Sequence, residues 1–281
     1  MDRPHRTRCS VRVPSDLLAN LPVAWAVLAT RPAGLITDVD GTISPIVDRP
    51  EKAGLHPRVP GFLARLVPRL DLVAVVSGRP IGELLDMVRL DGVVFVGNHG
   101  LEWREGGTST VLPEAQPYLA AIAATMSFLR GRLRLAGVRV EEKGSTGTVH
   151  YRLAAKPAAA RRAILQALAE CPSAKGLRWT DGRMVVNILP PVRADKGTAV
   201  ERLIRLRDLR GAIYLGDDVT DLDAFRKIRS LRESGVRDAL SVAVASPEAP
   251  PGLPREADFM LEGVDAVVRF LERTVDWLEG S

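Results

Sequence analysis

At 281 residues, with 46% hydrophobic and 26% charged positions, the chain has the make-up of an ordinary globular protein with room for one large or two modest domains. Its net charge of +5 comes from scattered arginines rather than a basic block, and 5% of residues are aromatic, which argues weakly for nucleic acid and fits a small anionic substrate equally well. Cys9 and Cys171 suggest no disulfide framework and no apolar run reaches the length of a membrane span, so a reducing cytoplasm is the expected setting, without a membrane.

Arg3, Arg6, Arg8 and Arg12 ahead of the apolar Leu21–Ala29 loosely imitate a secretory signal. Asp16, Asn20, Pro22 and Arg31 interrupt that pattern, and Ser15-Asp16-Leu-Leu reads instead as the cap of an amphipathic helix. Residues 1–32 are therefore expected to form an extension and a helix, the first 14 disordered or loosely attached. Short runs rich in Val and Ile then take turns with helical patterns: strand Gly34–Thr37, helix Gly61–Leu70, strand Leu72–Val76, helix Pro80–Val88 and strand Val93–Val96. Runs without alternation belong to strands buried on both faces, and this order predicts an α/β fold with a parallel sheet.

The middle follows another grammar. Pro113–Leu135 reads as helix, and Val138–Lys143 and Thr148–Leu153 as a hairpin around Gly144–Gly147. Pro157–Glu170 is helical again, and Leu177–Thr180 and Arg183–Leu189 flank Asp181-Gly182 as a second hairpin. Helix, hairpin, helix, hairpin is an α+β unit, expected as an inserted cap at 111–190 between core segments 33–110 and 191–281. The α/β pattern returns with helix Lys196–Leu206, strand Ala212–Leu215, helix Asp221–Arg232, strand Ser241–Val244 and helix Val264–Leu278.

Ligands of such sheets bind beyond the carboxyl ends of the strands, where four clusters of polar residues fall. They are Asp38-Val-Asp40-Gly-Thr42, Ser77-Gly78-Arg79, Gly97-Asn98-His99-Gly100 and Gly216-Asp217-Asp218-Val-Thr-Asp221, with Lys196 opening the helix before the last. Each alone is readable as a turn, a helix cap or a solvated side chain; together they predict a site. Asp38 is the expected nucleophile toward phosphorus, forming an aspartyl-phosphate, and Asp40 the acid and base. Asp38, a backbone carbonyl at Asp40 and Asp217 would hold Mg²⁺, with Asp218 and Asp221 around them. Lys196 would neutralise charge, and the Ser77 hydroxyl and Gly78 amide would donate to phosphate oxygens, Arg79 standing beside them.

In order and spacing these motifs resemble those of the haloacid dehalogenase superfamily. With Gly-Asn98-His99-Gly-Leu-Glu102, Glu141-Glu-Lys143, His150-Tyr-Arg152 and Gly-Asp-Asp-x-Thr-Asp-x-Asp-Ala-Phe225, the chain resembles the trehalose-6-phosphate phosphatases over about residues 30–275. The resemblance implies a Rossmannoid parallel-sheet core with an inserted α+β cap. It also implies Mg²⁺, a sugar phosphate as partner and hydrolysis of trehalose 6-phosphate to trehalose and phosphate, a step of trehalose biosynthesis. A monomer is expected. Glu141 and Lys143 match residues that bind the distal glucose, and His150 and Arg152 are expected to share a face of the neighbouring strand. Asn98 and His99 are expected substrate contacts. Where the family usually has Glu-Val-Arg-Pro, this chain has Asn187-Ile-Leu189-Pro190, and Leu222 replaces a frequent Glu. Asn187 can still bind a hydroxyl without charge, so a mannosyl- or glucosyl-3-phosphoglycerate or related sugar phosphate is the alternative substrate.

Overall fold

The computed structural model describes residues 14–47, 53–182, 184–235, 238–246, 249 and 252–280. Apart from Pro14, the expectation for the basic first residues lies outside them. The chain forms two compact units, one of Met1–Ala74 with Val200–Ser281, the other of Val75–Ala199. No helix among the described residues is long and apolar enough to cross a membrane.

In the first unit five parallel strands stand in the order β1 (Ser15–Asp16), β13 (Phe259–Glu262), β12 (Asp238–Ala245), β11 (Gly211–Gly216) and β2 (Ala33–Thr37). β3 (Leu72–Val76), whose first residues belong to this unit, follows β2. Leu35, Ile36, Ile213, Tyr214, Leu215, Val242 and Val244 are fully buried, as strands covered on both faces require. Asp16 caps the entry: its carboxylate accepts from Leu18 N at 3.0 Å, opening a 3₁₀ turn that leads into α1 (Leu21–Ala29). The start of β11 meets α1 so closely that a Cβ on Gly211 would stand 1.9 Å from the Val27 carbonyl oxygen. The remaining helices are α2 (Val59–Leu66), shorter than the expected Gly61–Leu70 at its end, α7 (Asp221–Glu233), α8 (Leu253–Glu256) and α9 (Gly263–Gly280). Trp25 of α1 stacks on Trp277 of α9 with ring centroids 5.6 Å apart.

The second unit begins with the end of β3, followed by α3 (Ile81–Val88) and β4 (Val94–Gly97). An antiparallel pair, β5 (Glu102–Glu105) and β6 (Thr108–Val111), extends from β4; no strand was expected there. A 3₁₀ turn at Gln116–Tyr118 precedes α4 (Leu119–Arg132), so the long helical segment starts later than Pro113. Four further strands, β7 (Arg139–Glu142), β8 (Gly147–His150), β9 (Arg178–Gly182) and β10 (Val185–Leu189), form an antiparallel sheet in the order β7-β8-β10-β9. Val149, Val186 and Ile188 point to one side of it, where Ile122, Met126 and Leu129 of α4 meet Ile164 and Leu168 of α5 (Pro157–Glu170) in an apolar core. α6 (Lys196–Leu206) starts in this unit.

Two sequence expectations change here. The β9–β10 turn does not fall at Asp181-Gly182: those residues pair with Val186 and Val185, and the reversal follows them, with Met184 at φ 62°. Asp181 has a stronger partner than a turn could give, since Arg161 Nε and Nη2 donate to its two oxygens at 2.8 and 2.6 Å. β8 stops at His150 because the chain bends at Tyr151, where Ala154 N donates to the Tyr151 carbonyl at 3.1 Å. Arg152 therefore lies in an exposed turn and shares no strand face with His150.

Candidate active site

The residues singled out divide between the two units. In the first, β2 ends at Thr37 and delivers Asp38, whose amide donates to the Leu215 carbonyl of β11 at 2.9 Å. β11 in turn ends one residue before Asp217. Parallel neighbours thus bring two distant aspartates to the same sheet edge. Asp38, Asp217 and Asp221 are buried at 4%, 4% and 0% exposure, and each offers an oxygen within 4.8 Å of the others. Asp217 is fixed from two sides: Thr42 Oγ1 donates to its Oδ1 at 3.0 Å, and Gly41, at φ 79°, leaves room for its Oδ2. Asp40 is half-buried and bridges to Ser44.

Asp221 serves as the anchor behind this pair. Its Oδ2 accepts from the amides of Asp217 and Asp218 at 2.9 and 2.8 Å, and its Oδ1 accepts from the Tyr214 hydroxyl. Burial first, then the charges of Asp221, Asp38 and Asp217, pushes the Tyr214 phenol well above its ordinary value. It therefore remains a protonated donor. Asp218 and Leu222 lie outward of this cluster, exposed and half-buried respectively. No separate role was expected for Thr42 or Tyr214. The Thr of the Asp-x-Asp-Gly-Thr motif was a visible signal for the first, whereas nothing within a buried strand marked the second.

The second unit brings three of the predicted loops together. His99 N donates to the Ser77 carbonyl at 3.0 Å and Asn98 N to the Arg79 carbonyl at 2.9 Å. The His99 ring covers Gly78 so closely that a Cβ there would stand 2.5 Å from its Cε1. Ser77 Oγ accepts from Arg79 N at 3.2 Å, and Arg79 Nη1 donates to Glu83 Oε2 at 2.8 Å. Asn98 and His99 both have positive φ, 47° and 57°, a backbone state non-glycine residues hold only when their surroundings fix it. A Cβ on Gly100 would lie 3.1 Å from the Asp195 carbonyl oxygen. Asp195 and Thr198 form a reciprocal cap, Thr198 N to Asp195 Oδ1 at 2.7 Å and Asp195 N to Thr198 Oγ1 at 3.0 Å. That cap sets Lys196, 2% exposed, at the first position of α6.

Asn98, an expected substrate contact, is 1% exposed and spends its amide inside the protein, on Glu102, Lys143, Ser145 and Thr146. The outward face of the four-stranded sheet carries Glu141, His150 and Asn187 of the remaining candidates. Glu141, Thr148, Asn187 and Thr180 stand in one cross-strand row, with Thr148 Oγ1 donating to Asn187 Oδ1 at 3.0 Å. His150 Nε2 lies 2.5 Å from Glu141 Oε2. That hydrogen bond, aided by the charges of Lys143 and Arg139, holds the Glu141 carboxyl at about 2 against the opposing effect of burial. Lys143 lies just past the end of β7, half-buried, its amide donating to the Thr146 carbonyl at 2.9 Å. Leu189 is paired with Arg178 of β9. A guanidinium thus stands on this face at the register where β10 itself offers none, a residue that spacing along one strand could not reveal.

Residues 36–250 match the family model described as trehalose-phosphatase. An uncharacterized glycosyl hydrolase of Mycobacterium tuberculosis is 36% identical over 226 residues, covering 77% of this chain and 17% of its own length. A trehalose-phosphate phosphatase of Mycobacterium ulcerans is 35% identical over 230 residues, 76% of this chain and 58% of its own length. The chain thus spans less than two thirds of these relatives. The C-terminal domain of the C. albicans trehalose-6-phosphate phosphatase has a similar fold, with a TM-score of 0.71 at 20% identity over 95% of this chain and 99% of that one. The span matched by the family model contains Asp38, Ser77, Lys196 and Asp217 alike, and the chain belongs to the trehalose-phosphatase family.

Proposed function

We propose that this chain hydrolyses trehalose 6-phosphate to trehalose and phosphate. The observation that carries the reading is the convergence of Asp38, Asp217 and Asp221, buried and with oxygens within 4.8 Å of one another, in a chain of this family. Asp38 attacks phosphorus and forms an aspartyl-phosphate, while Asp40 gives its proton to the departing sugar oxygen. Asp40 then takes a proton from water, which attacks the same phosphorus and releases Asp38. Lys196, the Ser77 hydroxyl and the Gly78 amide offset the phosphate's charge.

Buried carboxylates this close repel unless a cation or a proton intervenes, and their oxygens are hard donors suited to Mg²⁺. Asp38 and Asp217 would hold the ion, with Asp221 orienting Asp217; when bound, it would supply positive charge against the nucleophile and the phosphate. Residues 111–190 act as the cap in this reading. Glu141, Lys143, His150 and Asn187 would bind the distal sugar, and Arg178 would supply a cation beside Leu189.

The test is phosphate release from a panel of esters, with and without Mg²⁺: trehalose 6-phosphate, glucose 6-phosphate, the two glycosyl-3-phosphoglycerates and p-nitrophenyl phosphate. Trehalose 6-phosphate should lead the other sugar esters by about tenfold or more in kcat/KM, and chelation should abolish turnover. No preference for it overturns the substrate, indifference to chelation overturns the metal, and full turnover by Asp38→Asn overturns the aspartyl-phosphate.

A further inference from the structure

Three segments far apart in sequence meet at the carboxylate of Glu102. Its Oε2 accepts from Ile81 N at 3.0 Å, at the start of α3 and just after the Ser77-Gly78-Arg79 loop. Its Oε1 accepts from Asn98 Nδ2 at 2.7 Å, Ser145 Oγ at 2.8 Å and Ser145 N at 3.3 Å. Asn98 repeats the same connection: its Nδ2 donates to the Lys143 carbonyl at 2.8 Å and its Oδ1 accepts from Thr146 Oγ1 at 3.0 Å. Asn98, Ser145 and Thr146 are 1%, 1% and 5% exposed. Buried polar groups are stable only when such a network is complete. Gly144, at φ 74°, keeps the loop open toward Glu102, since a Cβ there would lie 3.2 Å from its Oε1.

A short hairpin loop closes on its own hydrogen bonds, as the one from Lys143 N to the Thr146 carbonyl illustrates. Closing it needs no carboxylate from 43 residues away. What the remote tie adds is position. It fixes the β7–β8 loop, which bears Lys143 and directly follows Glu141, relative to the turns that carry Ser77, Gly78 and His99.

We propose that Glu102 is a positioning residue for substrate length: it sets how far the sugar-binding end of β7 stands from the phosphate-binding Ser77-Gly78 loop. The inference rests on the proposed sugar-phosphate reading and goes beyond it, because both carboxylate oxygens of Glu102 are engaged by protein donors, from Ile81, Asn98 and Ser145. An ester that spans both ends depends on the tie, and a small aryl phosphate does not.

Two variants test this. Glu102→Gln turns one acceptor into a donor facing donors, and Ser145→Ala removes the loop's side of the tie with little risk to folding. In both, KM for trehalose 6-phosphate should rise about tenfold, with its kcat and the kinetics of p-nitrophenyl phosphate within about twofold of the parent. Amide hydrogen exchange over residues 142–147 should accelerate. Equal losses on the two esters, an unchanged KM, or unchanged exchange in Ser145→Ala overturns the proposal. If the panel identifies another sugar ester, that ester replaces trehalose 6-phosphate in the comparison. The exchange measurement needs no substrate, so failure of the tie is distinguishable from failure of the substrate reading.

Discussion

Gly41 has a φ of 79°, and a Cβ built on it would stand 1.9 Å from Asp217 Oδ2. Both facts demand glycine, the first because L side chains resist this backbone state, the second because Asp217 occupies the space. Thr42, the next residue, donates to the other oxygen of the same carboxylate. The turn after β2 is therefore a mould for Asp217 as well as a carrier for Asp38 and Asp40. Gly41→Ala should lower kcat by about 10²-fold or more, since displacing one carboxylate by an ångström is enough. Steady-state turnover beside a thermal melt checks this; parental turnover in a folded variant would show that Asp217 is not needed where it stands. Glu141 illustrates the opposite kind of residue, one whose state is set by neighbours. With its carboxyl held at about 2 by His150 first, then Lys143 and Arg139, it remains charged wherever sugar binding would be measured.

At the scale of elements, close packing is as informative as chemistry. A Cβ on Gly211 would meet the carbonyl oxygens of Val27 at 1.9 Å and Thr30 at 2.8 Å. These are backbone atoms of α1 and its end, which no rotamer change can move. Gly211→Ala should cost about 2 kcal/mol and lower the thermal midpoint by about 6 °C; an unchanged midpoint would mean that α1 yields easily. The buried strands were legible because both faces are covered, leaving apolar runs without alternation: Leu35-Ile36 in β2, Leu72-Val-Ala-Val-Val76 in β3 and Ala212-Ile-Tyr-Leu215 in β11. β5 and β6 were not, because Glu102-Trp-Arg-Glu and Thr108-Ser-Thr-Val are mostly half-buried or exposed and show neither an apolar run nor clean alternation. The Asp181-Gly182 turn was misplaced for another reason: the partner that matters, Arg161, lies on α5, beyond the reach of any local pattern. Likewise Asp38, Ser77, Lys196 and Asp217 were marked by strand ends and motifs. The Asn98–Glu102–Ser145 network depends on folding and left no periodic trace.

For the whole molecule, the net charge of +5 bears on how the dianionic ester of the proposed reaction would reach it. Association should weaken with salt, kcat/KM falling about threefold between roughly 0.05 and 0.5 M ionic strength while kcat stays level. An equal fall in kcat would point instead to salt acting on the chemical step. The four-stranded sheet has a consequence of another kind. Its alternate residues face two ways, Val149, Val186 and Ile188 into an apolar core and Glu141, Thr148, Asn187 and Thr180 outward. Substitutions on the outward row leave the inward packing unchanged. On the proposed reading, in which this row binds the distal sugar, single replacements at positions such as Asn187 would change sugar preference while the scaffold that presents it is kept.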